Sequence, residues 1–312
     1  MRTGISRFRL SSLAAAVFAA AVLAGGGARL AAQAQGVSAL DSLGRRISLS
    51  APARRIVSLS PEATEALYAA GAGAAMVGDT SYCDYPDAAR ALPKVGGFSP
   101  ETLSIEKILT LKPDLVVTAG RLQAQIEAAL VKLGIRVFAY EPENFVAIAD
   151  GMMALGELAG TKNQGIRAAA TFTGAIEKVK FLTSSLPMAR RPKVFWEVSD
   201  EPLMTCGRRS FAHQLVEAAG GRDIFADLPG PWPVVSAEEV LTRSPEIIIG
   251  PDDLGARMSE ARLSAKPGWK DIPAVRSGRL FLVPADLVSR AGPRLATGLL
   301  AVLKVIHPEL VP

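Results

Sequence analysis

The sequence predicts an α/β protein made of two Rossmann-like lobes that are joined by a long interdomain helix. Three observations support this prediction: a helix-strand unit occurs twice, strands alternate with helices in each half, and a stretch without strand signals separates the halves. Such alternation is typical of parallel sheets with short right-handed connections. We therefore expect an N-terminal lobe over residues 35–145, a helical linker over 146–187 and a C-terminal lobe over 188–312.

Residues 1–34 have the pattern of a cleavable signal peptide. Three arginines in the first nine residues precede an apolar stretch at 10–23, and Ala32-Gln33-Ala34 supplies the small residues that signal peptidase requires. An uncleaved membrane anchor is the alternative, but the apolar stretch is shorter than the roughly 20 residues that span a bilayer. Since neither Cys83 nor Cys206 lies near the cleavage point, no lipid anchor is expected there.

Composition and charge exclude several classes of protein. The 312 residues are 49% hydrophobic and 21% charged, which suits neither a disordered chain nor a bundle of membrane spans. Four arginines and no acids lie in residues 1–34, so removing that segment lowers the formal charge from +5 to +1. A nearly neutral chain with few basic clusters is unsuited to binding nucleic acid.

The first elements of each lobe follow a common order. In the N-terminal lobe, a strand within Arg55-Ile-Val-Ser-Leu precedes the helix start Ser60-Pro61, and the helix ends at Gly71. In the C-terminal lobe, Lys193-Val-Phe-Trp-Glu is a strand, and a helix through His213 ends at Gly220. Short strands are also expected at residues 76–78 and 280–283.

The repeated unit is the clearest signal in the chain. Residues 104–117 align without gaps on residues 236–249, and each copy predicts a short helix followed by a buried strand. Ser104 and Ser236 are suited to the N-cap position, and Glu239 completes a capping box with Ser236. Pro113 and Pro245 end the helices, and β-rich apolar residues follow each proline.

The linker, residues 146–187, has no proline before Pro187, and its apolar residues recur at helical spacing. We expect one or two helices here, one of them long enough to bridge the lobes. A helical bridge makes a stiff hinge, unlike paired flexible strands.

The loops after the strands hold the candidate ligand-binding residues. In open parallel sheets, ligands bind where the carboxyl ends of the strands meet, so the predicted cleft lies between the lobes. The loops there carry aromatic rings and one acid-base pair: Tyr82, Phe98, Trp232, Asp286 and Arg290. Each aromatic residue taken singly is better explained as a loop anchor within its own lobe, but four such loops together favour a ligand site.

Catalysis and metal binding find little support. His213 lies within a helix and His307 at the C-terminal end of another, where both are suited to structural roles. The chain has no nucleophile elbow, no zinc-protease motif, no phosphate-binding loop and no ligand spacing typical of a metal site. Two cysteines in an oxidising compartment usually form a disulfide. Cys83 and Cys206, however, fall near cleft loops of different lobes, where a disulfide would hold the site closed, so we favour free thiols.

Glu106 and Glu238 occupy the same position, second in the helix, in the two repeats. The helix dipole explains an acid there locally. A matched pair of acids, one on each lobe, also fits a pseudo-symmetric partner with basic pockets.

These segments resemble the periplasmic substrate-binding proteins with a rigid interdomain helix, the class III or helical-backbone metal-receptor family, which serve ABC importers of cobalamin, siderophores and haem. The matching segments cover most of the chain beyond residue 54, and they are Arg55-Ile-Val-Ser-Leu-Ser-Pro-Glu-Ala-Thr-Glu, Thr80-Ser-Tyr-Cys-Asp-Tyr-Pro, Leu111-Lys-Pro-Asp-Leu-Val, Pro231-Trp-Pro-Val-Val-Ser-Ala-Glu, and Asp286 with Arg290. Among these segments, the tyrosine-rich and Pro-Trp-Pro ones are the more specific for the cobalamin-binding members.

The resemblance implies a monomeric periplasmic receptor, not an enzyme, which carries cobalamin or a related corrinoid as transported ligand and needs no cofactor. Tyr82 and Trp232 would then pack on the corrinoid, and Asp286 and Arg290 would contact its polar edge. Phe98 stands where those members have a tryptophan.

Glu106 and Glu238 would meet arginines on the two permease subunits of an inner-membrane ABC importer with its ATPase. Haem remains an alternative ligand, with Tyr82 as iron ligand, and so does a ferric siderophore, which would need several cleft arginines. A hydrolase on an α/β fold is the alternative from another class of protein, and it lacks the expected nucleophile motif.

Overall fold

The computed structural model describes residues 36–311. The predicted signal peptide, residues 1–34, lies outside the described residues. Within residues 36–311, no helix is both long enough and apolar enough to cross a membrane.

The N-terminal half contains a hairpin and a four-stranded sheet. The antiparallel hairpin consists of β1 (Val37–Leu40) and β2 (Arg46–Leu49). The sheet is entirely parallel, with the strand order β4-β3-β5-β6. Its strands are β3 (Ile56–Ser58), β4 (Met76–Gly78), β5 (Leu115–Thr118) and β6 (Val137–Ala139), and the helices between them are α1 (Pro61–Ala69), α2 (Asp87–Arg90), α3 (Ile105–Thr110) and α4 (Ala124–Lys132).

Two antiparallel helices follow, α5 (Phe145–Leu158) and α6 (Lys162–Thr183). At 22 residues, α6 is about 33 Å long. Its first turn places Gln164 against Gly71 at the end of α1, and at its last residue the Thr183 hydroxyl donates a 2.9 Å hydrogen bond to the Ala218 carbonyl of the C-terminal half. The helix therefore contacts both halves at its two ends, as the sequence predicts for a bridging helix.

The C-terminal half contains a five-stranded sheet with the order β11-β10-β7-β8, in which β9 also pairs with β7. Its strands are β7 (Lys193–Asp200), β8 (Leu203–Thr205), β9 (Arg222–Asp223), β10 (Ile247–Pro251) and β11 (Leu280–Val283). The helices are α7 (Phe211–Ala218), α8 (Ala237–Arg243), α9 (Glu260–Ser264), α10 (Pro273–Arg276), α11 (Ala285–Val288) and α12 (Leu295–Ile306). One strand of this sheet departs from parallel pairing, because β8 folds back antiparallel on β7.

The helix-strand repeat is confirmed in detail. The Ser104 hydroxyl accepts a 3.2 Å hydrogen bond from the Lys107 amide, and the Ser236 hydroxyl accepts one of 3.1 Å from the Glu239 amide. The Glu239 carboxylate accepts a 2.8 Å hydrogen bond from the Ser236 amide, which completes the capping box. Strands β5 and β10 are buried along their whole length. The mixed α/β fold with parallel sheets is therefore as predicted.

Candidate functional site

A cavity of about 640 Å³ opens at the carboxyl ends of strands from both halves. Ala119 and Tyr140 follow β5 and β6 directly, and Trp196 and Pro251 lie on β7 and β10. The cavity therefore lies where the sequence predicts the cleft. Its other apolar lining comes from Phe98, Leu122, Pro142, Val198, Met204, Phe211, Pro231, Trp232, Val288 and Ala291.

Two aromatic residues of the lining are held firmly. The Trp232 ring is packed edge-to-face on Phe211, with ring centroids 5.1 Å apart and an interplanar angle of 70°. Prolines at positions 231 and 233 restrict the backbone on either side of it. Tyr140 is fully buried, and its hydroxyl donates a 3.1 Å hydrogen bond to the Ala291 carbonyl. The cavity therefore presents rigid flat surfaces before any ligand enters.

The polar rim of the cavity consists mainly of paired charges. Arg209 lies 2.8 Å from the Glu143 carboxylate, and Arg121 lies 2.9 Å from that of Glu141. Asp253 also lines the cavity; it is exposed and has no ion pair among residues 36–311. Arg209 is the one cationic side chain of the lining within the described part of the chain, and its charge is already balanced.

Glu62, which the sequence analysis did not single out, contributes a carboxyl group to the lining. Burial is the main influence on this group and raises its pKa, opposed by hydrogen bonds from its own backbone amide and from Ser60 and by the charge of Arg290. Tyr140 lines the same cavity, and burial, followed by the negative charges of Glu62 and Glu65, raises its pKa. The position of Glu62 in the first turn after β3, at the carboxyl edge of the sheet, was the signal that could have found it.

Of the predicted ligand residues, Phe98 and Trp232 line the cavity, and Tyr82 does not. The Tyr82 side chain is 59% exposed. It lies 3.5 Å from the position that a Cβ on Gly97 would take, next to the loop that carries Phe98.

Lys94 holds the segment that carries Tyr82. Its ammonium group donates hydrogen bonds to the Asp79 carboxylate at 2.6 Å, to the Ala89 carbonyl at 2.9 Å and to the Cys83 carbonyl at 3.3 Å. Tyr82 is thereby positioned outside the cavity on a braced loop.

Asp286 and Arg290 also lie outside the lining, in a cluster of charges that joins the two halves. Arg290 contacts the carboxylates of Asp286 at 2.6 Å, Asp84 at 2.7 Å and Glu65 at 3.2 Å. Arg294 lies beside it with its guanidinium 2.8 Å from Glu65, which is 2% exposed. Burial alone would raise the pKa of Asp84, but its hydrogen bond and charge interaction with Arg290 outweigh this and lower it.

Glu106 and Glu238 are both exposed, each at the second residue of its helix, α3 and α8. Neither forms an ion pair within residues 36–311. Their side chains are therefore available to a partner.

The cysteines are free and buried. The Cys83 thiol lies 3.1 Å from the Thr64 hydroxyl, and that of Cys206 lies 3.5 Å from the Asp223 carboxylate. Burial raises the pKa of both thiols. Asp223 also holds the His213 imidazole at 2.9 Å, which is the structural role expected for that histidine. Residues 36–311 contain no cluster of three or more side chains suited to a metal ion.

The chain is similar to known binding proteins in sequence. A family model described as periplasmic binding protein matches residues 56–287. A vitamin B12-binding protein of Vibrio cholerae serotype O1 is 32% identical over 249 residues, which cover 78% of this chain and 85% of the relative.

Solved structures of two kinds of binding protein are similar to this chain. The periplasmic vitamin B12 binding protein BtuF of Vibrio cholerae superposes with a TM-score of 0.70 at 30% identity, covering 82% of this chain and 97% of its own. The periplasmic heme-binding protein RhuT from Roseiflexus sp. RS-1 superposes with a TM-score of 0.69 at 26% identity, covering 83% and 99%.

Proposed function

The chain belongs to the periplasmic binding protein family, and from this premise we propose that it captures cobalamin or a related corrinoid and delivers it to an ABC importer. Its place of action is then the periplasm, reached by cleavage of residues 1–34. It acts by binding and release, with the corrinoid as transported ligand and with no chemical step.

The observation that carries the proposal is the rigid aromatic cavity between the two halves. A corrin ring is a broad, nearly flat macrocycle, and its faces suit the rings of Trp232 and Phe98, which line the same cavity. Since α6 bridges the halves and the aromatic residues are already in place, we expect little closure on binding. Affinity then comes from a preorganised surface.

Haem is the second candidate, because a heme-binding protein shares the fold at 26% identity. Haem carries two propionates and an iron atom that needs a ligand. The one arginine of the described lining, Arg209, is paired with Glu143, and Tyr82 lies outside the lining. The same shortage of free cations disfavours an anionic siderophore. The site therefore supports a corrinoid better.

Calorimetric titration of the purified protein with cyanocobalamin, cobinamide and haemin tests the proposal. We expect saturable binding of both corrinoids and weak or no binding of haemin. Saturable binding of haemin without heat from either corrinoid would overturn the corrinoid assignment.

Docking on the importer is proposed for Glu106 and Glu238, because both acids are exposed at equivalent positions of the repeat. Charged rims of this kind set the register and rate of association more than its strength. The double variant Glu106→Lys/Glu238→Lys should lower uptake by a reconstituted cobalamin importer while the affinity for free corrinoid stays unchanged. Glu260→Lys, at an exposed acid in the first turn of α9, is the matched control. Equal uptake by the double variant and the control would contradict the docking role.

A further inference from the structure

The cavity lining has more acidic than basic side chains. Among residues 36–311, four acids line the cavity, Glu62, Glu141, Glu143 and Asp253, against the single arginine Arg209. Arg121 and Arg209 balance Glu141 and Glu143. Glu62 and Asp253 remain as acids of the lining for which the described residues show no salt bridge, and of these Glu62 is the more deeply placed.

Arg290, the cation whose charge acts on Glu62, is not available to a ligand. Burial raises the pKa of Glu62 and the charge of Arg290 opposes that rise, but the Arg290 guanidinium is already in contact with the carboxylates of Glu65, Asp84 and Asp286. A ligand carboxylate that entered this part of the cavity would meet Glu62 without a free positive charge beside it. Glu62 is half-buried, so water screens the repulsion between two carboxylates less there than at the exposed Asp253.

A neutral amide meets the opposite situation. An amide N–H donates a hydrogen bond to a carboxylate oxygen, and hydrogen bonds with one charged partner are shorter and stronger than neutral ones. The periphery of a corrinoid carries acetamide and propionamide side chains, whereas haem and unamidated corrinoid acids carry carboxylates. Both kinds of ring present similar flat faces to Trp232, so the aromatic surfaces alone do not separate them.

We propose that Glu62 is a specificity-determining residue, which selects ring ligands with an amidated periphery over ligands whose periphery carries free carboxylates. This inference rests on the proposed corrinoid function and adds to it the chemical class of side chain that the cavity accepts. Buried polar groups that a wrong ligand leaves unpaired, or charges that it opposes, are the means by which binding sites discriminate most strongly.

The test compares two corrinoids with the same ring: dicyanocobinamide, with amide side chains, and dicyanocobyrinic acid, with carboxylates in their place. Calorimetry gives the affinity of wild-type protein, Glu62→Gln and Asp253→Asn for each. Wild-type protein should bind the amide form about tenfold or more tightly than the acid, which corresponds to a single favourable interaction exchanged for a repulsive one.

Glu62→Gln should lower the affinity for cobinamide by about threefold, because its hydrogen bond to the ligand amide loses the charged partner, and should raise the affinity for the acid by about tenfold, because the glutamine amide can donate a hydrogen bond to a carboxylate. Asp253→Asn is the matched control: it removes one acid of the same cavity, but an exposed one that water screens. Its ratio of affinities should stay within about twofold of wild type. If Glu62→Gln lowers the thermal stability too far to be measured, Glu62→Ala tests the same ratio.

The outcomes separate the two levels of the proposal. If wild-type protein binds both corrinoids equally, or if Glu62→Gln keeps the wild-type ratio, the role of Glu62 is overturned and the corrinoid function stands. An equal shift in Asp253→Asn would assign the effect to net charge and overturn the role as well. If neither corrinoid binds to wild-type protein, the corrinoid function fails, and the inference fails with it.

Discussion

Among single residues, Trp232 carries the largest flat surface that the predicted loops bring to the cavity. A few aromatic residues typically contribute most of the free energy of binding, and truncating one of them weakens binding markedly. Trp232→Ala should therefore weaken cobalamin binding by about 1–3 kcal/mol, measured by calorimetry. Trp232→Phe, which keeps a ring against Phe211, should retain most of the affinity. Unchanged binding by the alanine variant would assign Trp232 to packing within its own half.

Glu197 on β7 gives the clearest expectation for pH dependence. It is fully buried, neither carboxyl oxygen has a hydrogen-bond partner in the described part of the chain, and burial raises its pKa from 4.5 to about 7. The charged groups that face it are Lys266, which lowers the pKa, and Asp200, which raises it; these two are paired at 2.6 Å. Because the folded state holds the Glu197 proton more tightly than the unfolded state, this group favours folding at low pH. Its contribution is complete below the ordinary value of 4.5 and is lost as the pH rises through about 7.

Between about pH 5 and about pH 8, wild-type protein should therefore lose roughly 2–3 kcal/mol more unfolding free energy than Glu197→Gln, because glutamine does not titrate. Urea unfolding at the two pH values measures this difference. Glu246→Gln, at an acid that is not buried, is the control and should keep the wild-type dependence. An identical pH dependence in wild type and Glu197→Gln would show that Glu197 does not titrate in this range.

The sequence located cavity residues on the loops that lie near the carboxyl ends of the strands. It assigned Phe98 and Trp232 to such loops, and both line the cavity, while their contact with a ligand stays a prediction. Arg290 was expected at a ligand edge, but the structure places it against Glu65 and Asp84, about two hundred positions away in the chain. No local pattern reports such a partner. Glu62 escaped notice because an acid in the first turn of a helix is explained by the helix dipole alone.

Secondary-structure elements were predicted best where their ends depend on local chemistry. The caps at Ser104 and Ser236 are correct because they involve a side chain and an amide three residues apart. Gly71 and Gly220 adopt φ of 82°, which explains why glycine marks the ends of α1 and α7. The hairpin of β1 and β2 was not predicted, because each strand has only four residues, too few for the alternation of less and more exposed positions to stand out in the sequence.

The packing of α5 on α6 depends on Gly165. A Cβ there would lie 2.7 Å from the Met152 carbonyl oxygen and 3.2 Å from the Gly156 Cα, both backbone atoms that cannot move aside. Gly165→Ala should force the two helices apart and lower the free energy of unfolding by about 1–3 kcal/mol. Thermal or urea unfolding of the purified variant measures it.

Gly174, in the same helix, is the matched control. It is exposed, and a Cβ there would have no neighbour within 4 Å. Gly174→Ala should therefore raise stability by about 0.5–1 kcal/mol, since alanine loses less backbone entropy in a helix. Equal effects of the two substitutions would contradict close packing at Gly165.

For the molecule as a whole, the sequence predicted the order of parts, two α/β halves with helices between them, and the position of the cleft. It could not show what fixes the halves relative to each other. Besides α6, the structure shows the charged cluster of Glu65 and Asp84 from the N-terminal half with Arg290 and Arg294 from the C-terminal half. The Arg294 guanidinium also lies 4.2 Å from the Tyr85 ring centroid. These contacts connect the two halves directly, in addition to α6.

Arg294→Met tests this charged cluster. The substitution keeps the aliphatic length but removes the guanidinium that contacts buried Glu65, and a buried carboxylate without its partner is costly. We expect a loss of unfolding free energy on the order of 2 kcal/mol. This is less than the roughly 3–5 kcal/mol lost when a buried ion pair is broken by removing one partner, because Arg290 still faces Glu65 at 3.2 Å. Adding Glu65→Leu should restore part of the loss, since it removes the unpaired charge.

Arg276→Met, at an exposed arginine of α10, is the control and should change stability by less than about 0.5 kcal/mol. Corrinoid affinity provides the second measurement. If the cluster sets the separation of the two halves, Arg294→Met should also weaken binding although Arg294 does not line the cavity, because the aromatic surfaces then lose their preorganised spacing. A variant that is destabilised but binds with wild-type affinity would show that α6 alone fixes the cleft.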